Sequence, residues 1–350
     1  MSLKWFAIES DQAQILLRHG HLMSSGERWV AQQVDANQVG FSQMDVERPS
    51  GLFCWFKAIR AISLTATLMP ALATLLWLSL LGLPINLWIA SGAVFAVVLL
   101  QMSVNLFNDV EDYFKLIDLP GTLGGSGVIQ QGWLSAQQVA RGAWVCLVLG
   151  CLAGLPALLN APVVVLLCGA AAVVGVLGYS GWPLRLKYRA LGDAAVLLLC
   201  GPALTFGIAA AATGADLSTL PVGVLALGLF FGFAATAILN ANNINDLYVD
   251  GARGSVTLAA KLGFVFARHW QTLYYLLAGC ALVTLQQYEQ AAIWMLLPFL
   301  ATPLVLMQLR ALYLADRPDH QDLAQVRFQA AQTHLLLGVL LCIGMLLSHL

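Results

Sequence analysis

Charge is what this chain lacks. Only 10% of its 350 residues are Asp, Glu, Lys or Arg, against about 25% in soluble domains, and 59% are apolar against about 45–50%. A water-soluble fold cannot cover so much apolar surface with so few charges. Two or three soluble domains, which the length alone would allow, are therefore excluded, and the bilayer is the solvent. The net charge of −1 gives no ground for a nucleic-acid partner. Paired cysteines are missing too. Cys54, Cys146, Cys151, Cys168, Cys200, Cys280 and Cys342 are irregularly spaced, include no CxxC, and lie mostly in apolar runs. A disulfide framework or zinc site is not expected; packing is. The first fifty or so residues show no early apolar core or cleavage site and do not resemble a secretory signal. They are expected to form a cytosolic extension, residues 1–56, with one or two short helices.

Long apolar runs begin just after Arg60. A spanning helix takes about 20 mostly apolar residues. Nine are predicted, near 61–83, 85–104, 140–159, 162–181, 193–213, 220–240, 270–286, 290–308 and 333–349. The connections after spans 1, 3, 5 and 7 contain no Lys or Arg. All 17 basic residues then fall on one side, in the N-terminal segment and the loops after spans 2, 4, 6 and 8, with Arg141, at the junction of the loop after span 2 with span 3, counted on that side. The excess of Lys and Arg marks the cytoplasmic face. This predicts a multi-pass protein of the inner (cytoplasmic) membrane with a cytoplasmic N-terminus and its C-terminus on the opposite side.

The acids are as unevenly placed. Two stretches, at the cytoplasmic ends of spans 2 and 6, hold Asn108, Asp109, Glu111, Asp112 and Asp118, and Asn242, Asp246 and Asp250. Asn108 and Asp112 stand four apart, as do Asn242 and Asp246, and Asp246 and Asp250. On a helix, positions i and i+4 share one face, so each stretch can present a column of oxygen ligands. The repeated Asn-x-x-x-Asp spacing hints at two related halves. Clustered carboxylates near a bilayer are costly without a cation. Oxygen ligands without His or Cys favour Mg²⁺ or Ca²⁺ over zinc, and Mg²⁺ is commonly held by one or two carboxylates together with substrate phosphates. Two facing clusters would suit a diphosphate bridged by magnesium; the bland alternative is two solvated loop ends.

These residues resemble the UbiA superfamily of intramembrane prenyltransferases, most closely the branch that prenylates 1,4-dihydroxy-2-naphthoate in menaquinone synthesis. The resemblance is carried by Asn108-Asp109-Val-Glu-Asp112 with Asp118, by Val128-Ile-Gln130-Gln131-Gly132, and by Tyr179-Ser-Gly181-Trp-Pro183 with Tyr188-Arg189-Ala-Leu191-Gly192-Asp193. Asn242-Asn243-Ile-Asn-Asp246-Leu-Tyr-Val-Asp250, with Thr257-Leu258-Ala259, completes it. It runs from about residue 57 to the C-terminus. It implies an all-α transmembrane domain, residues 57–350, with nine helices around a central cavity open sideways to lipid. The expected reaction is Mg²⁺-dependent prenyl transfer from an isoprenoid diphosphate to an aromatic acceptor within the membrane. The resemblance assigns Asp112, Asp118, Asp246 and Asp250 to metal, with Asp109 a further candidate and Asn108 and Asn242 as polar supports. Tyr179 and Arg189 are expected to line the diphosphate or acceptor end.

The departures matter as much. The family usually carries Arg at the positions of Gly127, Asn245 and Gly251, and Lys at Ser255. Arg253, Lys187, Arg185 and Lys115 are the candidate substitutes. That loss motivates an alternative: a superfamily member of specialised metabolism, either a terpene cyclase or a transferase to a non-quinone acceptor. A cation-coupled transporter is the alternative of another class. His19 and His21 are read as plain polar residues, His269 and His334 as interfacial or packed, and Trp133, Trp182 and Trp270 as interface anchors. The extension is considered as a cover for the cytosolic mouth of the cavity.

Overall fold

The computed structural model describes residues 3–20, 28–35, 37–44, 47–119, 125–247, 256–288, 293–318, 320, 323 and 325–349. Asp250, Arg253, Gly251, Ser255, Gly124 and His21 lie outside the described residues. Within a bilayer a backbone amide finds no water, so a spanning segment must pair its own N–H and C=O groups, and the apolar runs fold as helices. Among the described residues seven helical stretches are long and apolar enough to cross a membrane. They are Ala61–Leu80 (a 3₁₀ turn leading into α3, Thr65–Leu80), Leu87–Phe114 (α4), Ala136–Asn160 (α5), Gly192–Thr213, Gly223–Asn245 (α9), Ile293–Leu314 and Val326–Leu347. Two other predicted spans are also helical but fall outside that set. Pro162–Gly178 (α6) is apolar and shorter, and Phe264–Tyr288 carries Arg268, His269 and Gln271. The nine predicted spans thus correspond to seven by length and apolarity, with these two helices in the fourth and seventh places.

The Gly192–Thr213 span breaks at Gly201 into α7 (Gly192–Leu199) and α8 (Pro202–Thr213). The break lies where backbones touch. A Cβ on Gly228 of α9 would stand 2.8 Å from Pro202 Cα, and one on Gly232 would stand 3.1 Å from Gly201 Cα. Small residues let membrane helices approach this closely, and packing replaces the hydrophobic drive that lipid cannot supply. Buried polar side chains tie other helices together. Asn240 donates to the Gln271 side chain at 2.7 Å, and Gln308 donates to Thr333 Oγ1 at 2.6 Å. His334 lies inside the final helix, because that helix starts at Val326, earlier than predicted.

The N-terminal extension is more than short helices. It contains α1 (Asp11–His19) and α2 (Gly51–Ala58), and also a three-stranded antiparallel sheet of β1 (Lys4–Ala7), β2 (Arg28–Asp35) and β3 (Gln38–Met44) in the order β1-β3-β2. The β-branched and aromatic residues Trp29, Val30, Val34, Val39 and Phe41 favour strands when one face is buried. Ser10 caps α1 by accepting from Ala13 N, and Gly20 ends it at φ 71°, a conformation glycine adopts freely. Leu16, Leu17, Ala31, Val39 and Phe41 share a core with Tyr113, Leu134 and Val139, so the sheet sits against the ends of α4 and α5. Ala31 N donates to Tyr113 Oη at 3.5 Å. Among the described residues, no sheet residue lines the large cavity described below; Phe53 and Phe56 of the extension do, with the adjacent Lys57 of α2. Phe41 is fully buried. We expect Phe41→Ala to destabilise this unit by about 3–5 kcal/mol, read as faster proteolysis and amide exchange over residues 28–44 with the membrane helices still protected.

Candidate active site

Both acidic stretches occupy the ends of long helices. Asn108, Asp109 and Asp112 lie in the last turns of α4, and Asn242 and Asp246 at the end of α9. The repeated spacing becomes a repeated hydrogen bond. Asn108 Nδ2 donates to Asp112 Oδ2 at 2.9 Å, and Asn242 Nδ2 donates to Asp246 Oδ2 at 3.1 Å. Each asparagine is held from its other side. Ser180 Oγ donates to Asn108 Oδ1 at 2.8 Å, and Arg327 Nη1 donates to Asn242 Oδ1 at 3.5 Å.

Asp112 is the hub. Its side chain is 2% exposed, and it accepts from Lys187 Nζ at 2.7 Å and from Tyr188 Oη at 2.6 Å. Both partners come from the loop after α6, where a 3₁₀ turn, Leu186–Tyr188, folds back under the helix ends. Asp109 is committed elsewhere: Arg60 forms an ion pair with its Oδ1, and Ser126 N donates to its Oδ2 at 3.1 Å. Asp109 therefore anchors the chain entering α3 and the loop entering α5. Asp118 is buried, and its Oδ2 has no hydrogen-bond partner among the described residues. Burial, reinforced by Asp112 and opposed by Lys187, pushes the Asp118 carboxyl up to about 8. Gly125 lies against that oxygen at φ 66°, and a Cβ there would collide with it. Burial also raises the Asp246 carboxyl, against the pull of Lys187 and Arg327 and with a push from Asp112. Both acidic stretches thus share one set of cations.

These groups surround the polar end of a cavity of ≈ 980 Å³. Asn108, Tyr179, Lys187, Asn242, Arg60 and Arg327 line that end, and the rest of the wall is largely apolar. Asp112 stands just behind Lys187. Val165 and Tyr179 both line the cavity from α6 and its C-cap, and at 1.5 Å per residue they are roughly 20 Å apart along the axis. Ile62, Leu155 and Leu166 line the cavity and are exposed, so the cavity is not fully enclosed.

The structure brings together Asn108, Asp112, Asp118, Asp246, Asn242, Tyr179 and Lys187. Other expected residues stand apart. Arg189 is exposed and absent from the cavity wall; its backbone pairs with Val256 in an isolated bridge. Lys115 packs over the Tyr188 ring at 3.2 Å and donates to Ser180 O at 3.4 Å, outside the cavity wall. Sequence reasoning missed Arg60, Arg327 and Tyr188. Arg60 was visible as the last basic residue before the apolar runs, and Arg327 as a cation opening the final helix. Neither has a spacing that ties it to the acids.

The donor set suits Mg²⁺. It is built from oxygens, and the orphaned Asp118 Oδ2 is a buried group that lacks a compensating partner. Among the described residues no three His, Cys, Asp or Glu side chains converge as a ready cage. Mg²⁺ needs none when substrate phosphates complete its shell.

The profile described as "UbiA prenyltransferase family" matches residues 67–332. The chain is 28% identical over 257 residues to the 1,4-dihydroxy-2-naphthoate octaprenyltransferase of Escherichia coli (strain K12), covering 72% of this chain and 82% of that protein. It is 24% identical over 314 residues to the protein of the same name from Bacillus subtilis (strain 168), covering 85% and 94%. The solved apo structure of a UbiA homolog from Aeropyrum pernix K1 matches with a TM-score of 0.60 at 17% identity, covering 82% of this chain and 98% of that one. A UbiA homolog from Archaeoglobus fulgidus bound to DMAPP and Mg²⁺ matches with a TM-score of 0.52 at 12% identity, covering 82% and 98%.

Proposed function

This chain belongs to the UbiA prenyltransferase family and is a prenyl transferase, and on that premise we propose that it joins a prenyl chain to a 1,4-dihydroxy-2-naphthoate-like acceptor, with Mg²⁺. The observation that carries this reading is the polar end of the cavity. There two Asn–Asp pairs and three cations meet above a deep apolar space. A diphosphate ester with a long apolar tail has that same division of character. The acceptor class rests on the names of the related proteins.

Asp112 and Asp118 from one side and Asp246 from the other would hold Mg²⁺; Asp250, outside the described residues, is proposed with them. When bound, the ion supplies charge neutralisation for the departing diphosphate. Lys187, Arg60 and Arg327 bring positive charge to the same end. They offer a replacement for the family's basic residues missing at Gly127, Asn245, Gly251 and Ser255. The donor's C–O bond breaks with its electron pair leaving on diphosphate, an acceptor ring carbon bonds the allylic carbon, and the ring proton departs. The apolar wall excludes water that would otherwise capture the allylic cation, and the Tyr179 ring offers it an aromatic face. The one-sided distribution of Lys and Arg supports a site on the cytoplasmic side of the membrane.

Family membership removes the motive for the transporter alternative. Chelation tests the reading directly. Purified protein given geranylgeranyl diphosphate and 1,4-dihydroxy-2-naphthoate is expected to release diphosphate and form a prenylated naphthoate. EDTA should stop both, and added Mg²⁺ should restore both. Diphosphate release with a cyclised hydrocarbon, and no acceptor adduct, would favour the terpene-cyclase alternative.

A further inference from the structure

We propose that Gly169 is a specificity-determining residue that sets how long a prenyl chain the cavity admits. The inference rests on the cavity being the donor's prenyl site. Val165, Gly169, Ala172, Val176 and Tyr179 all line the cavity, and their spacing places them on one face of α6 and its C-cap. That face leads from the polar end into the apolar depth. Gly169 lies about 15 Å from Tyr179 along the axis, between Tyr179 and Val165, the cavity-lining residue of α6 farthest from it.

The space in front of Gly169 is what singles it out. Several other glycines line this cavity, and a Cβ on each of the others would meet protein. At Gly175 it would run into the Leu199 side chain, at Gly207 it would lie 3.2 Å from Cys168 Cβ, and at Gly150 it would lie 3.2 Å from Ala96 O. Gly150, Gly175 and Gly207 serve helix packing. At Gly169 no heavy atom lies within 4 Å of an added Cβ. Helix packing therefore does not require a glycine here. Glycine in a helix interior is also less favourable than alanine by about 1 kcal/mol. A position that loses helix stability and relieves no packing conflict has another use, and its missing side chain leaves open the passage that a long apolar tail must take.

A side chain at this position would project into the cavity without moving its wall. It would shorten the accessible depth while leaving the diphosphate end untouched. Donors whose tails stop above Gly169 should react as before, and donors whose tails pass it should be excluded. Loss of room for even one methylene is worth roughly tenfold in discrimination.

The test uses the full-length protein with geranyl, geranylgeranyl and octaprenyl diphosphates, each with 1,4-dihydroxy-2-naphthoate. Wild type is compared with Gly169→Ala, Gly169→Leu and Gly169→Phe. For Gly169→Leu and Gly169→Phe we expect kcat/KM on the octaprenyl donor to fall at least about tenfold relative to the geranyl donor. Gly169→Ala should fall between these and wild type. Retained geranyl transfer reports that each variant is folded. An unchanged ratio between long and short donors, or equal loss on all donors, overturns the assignment of Gly169. Prenyl transfer by wild type from none of the donors would instead defeat the catalytic reading on which it depends.

Discussion

Replacing Asp112 with alanine is expected to lower prenyl transfer by about 10²–10³-fold, the loss seen when one electrostatic anchor of a reacting charge is removed. Asp112 is 2% exposed and is the meeting point of Asn108, Lys187 and Tyr188. No other described carboxylate has that combination of partners at the cavity's edge. Asp109, three residues earlier, is held by Arg60 and Ser126 N, so it cannot take over without dismantling a structural link. The control is Asp112→Asn. It keeps an oxygen for Tyr188 and nearly the same volume but removes the charge. If charge is what matters, Asp112→Asn should be nearly as impaired as Asp112→Ala and should need far more Mg²⁺ for its residual rate. Wild-type turnover in both variants, measured as diphosphate release, would remove Asp112 from the site.

Lys187→Met is the second large effect, and it should appear mainly in the donor's KM. Lys187 lines the cavity and bonds Asp112 at 2.7 Å. One ionic hydrogen bond is worth about 1.5–3 kcal/mol, so losing its contact to a diphosphate should raise the donor KM roughly 10- to 100-fold. Deleting one partner of a buried ion pair also strands the other, at about 3–5 kcal/mol, so the protein's thermal stability should fall too. The two costs can be separated. Pairing Lys187→Met with Asp112→Asn removes the stranded charge, so stability should recover while the donor KM stays high. The two substitutions share one contact, and strict additivity is not expected. A Lys187→Met enzyme with an unchanged donor KM would confine Lys187 to neutralising Asp112.

The same residues explain how much of this site could be read in advance. The Asn-x-x-x-Asp spacing was legible because helical periodicity turns a distance of four residues into a shared face, and both predicted pairs form the same hydrogen bond. The cations were not legible. Arg60 precedes α3, Lys187 sits in the loop after α6 and Arg327 opens the final helix. No periodicity links positions so far apart in the chain. Arg189 and Lys115 looked as plausible as Lys187 in sequence. Within the loop after α6 the direction of the chain, set by the short 3₁₀ turn, sends Lys187 to Asp112 and leaves Arg189 exposed. The N-terminal sheet was missed for a related reason. Its strands pair with one another across the chain, and β-structure depends on such partners elsewhere in the sequence.

What the sequence determined by itself was the solvent and the local order. Scarce charge and long apolar runs require helices in a bilayer, and local spacing requires the two acidic columns at helix ends. Tertiary structure alone decided which cations reach those acids, which aspartate became a structural tie to Arg60, and where a glycine faces open space. Those outcomes depend on contacts between distant segments, and a contact of that kind leaves no period in a single chain.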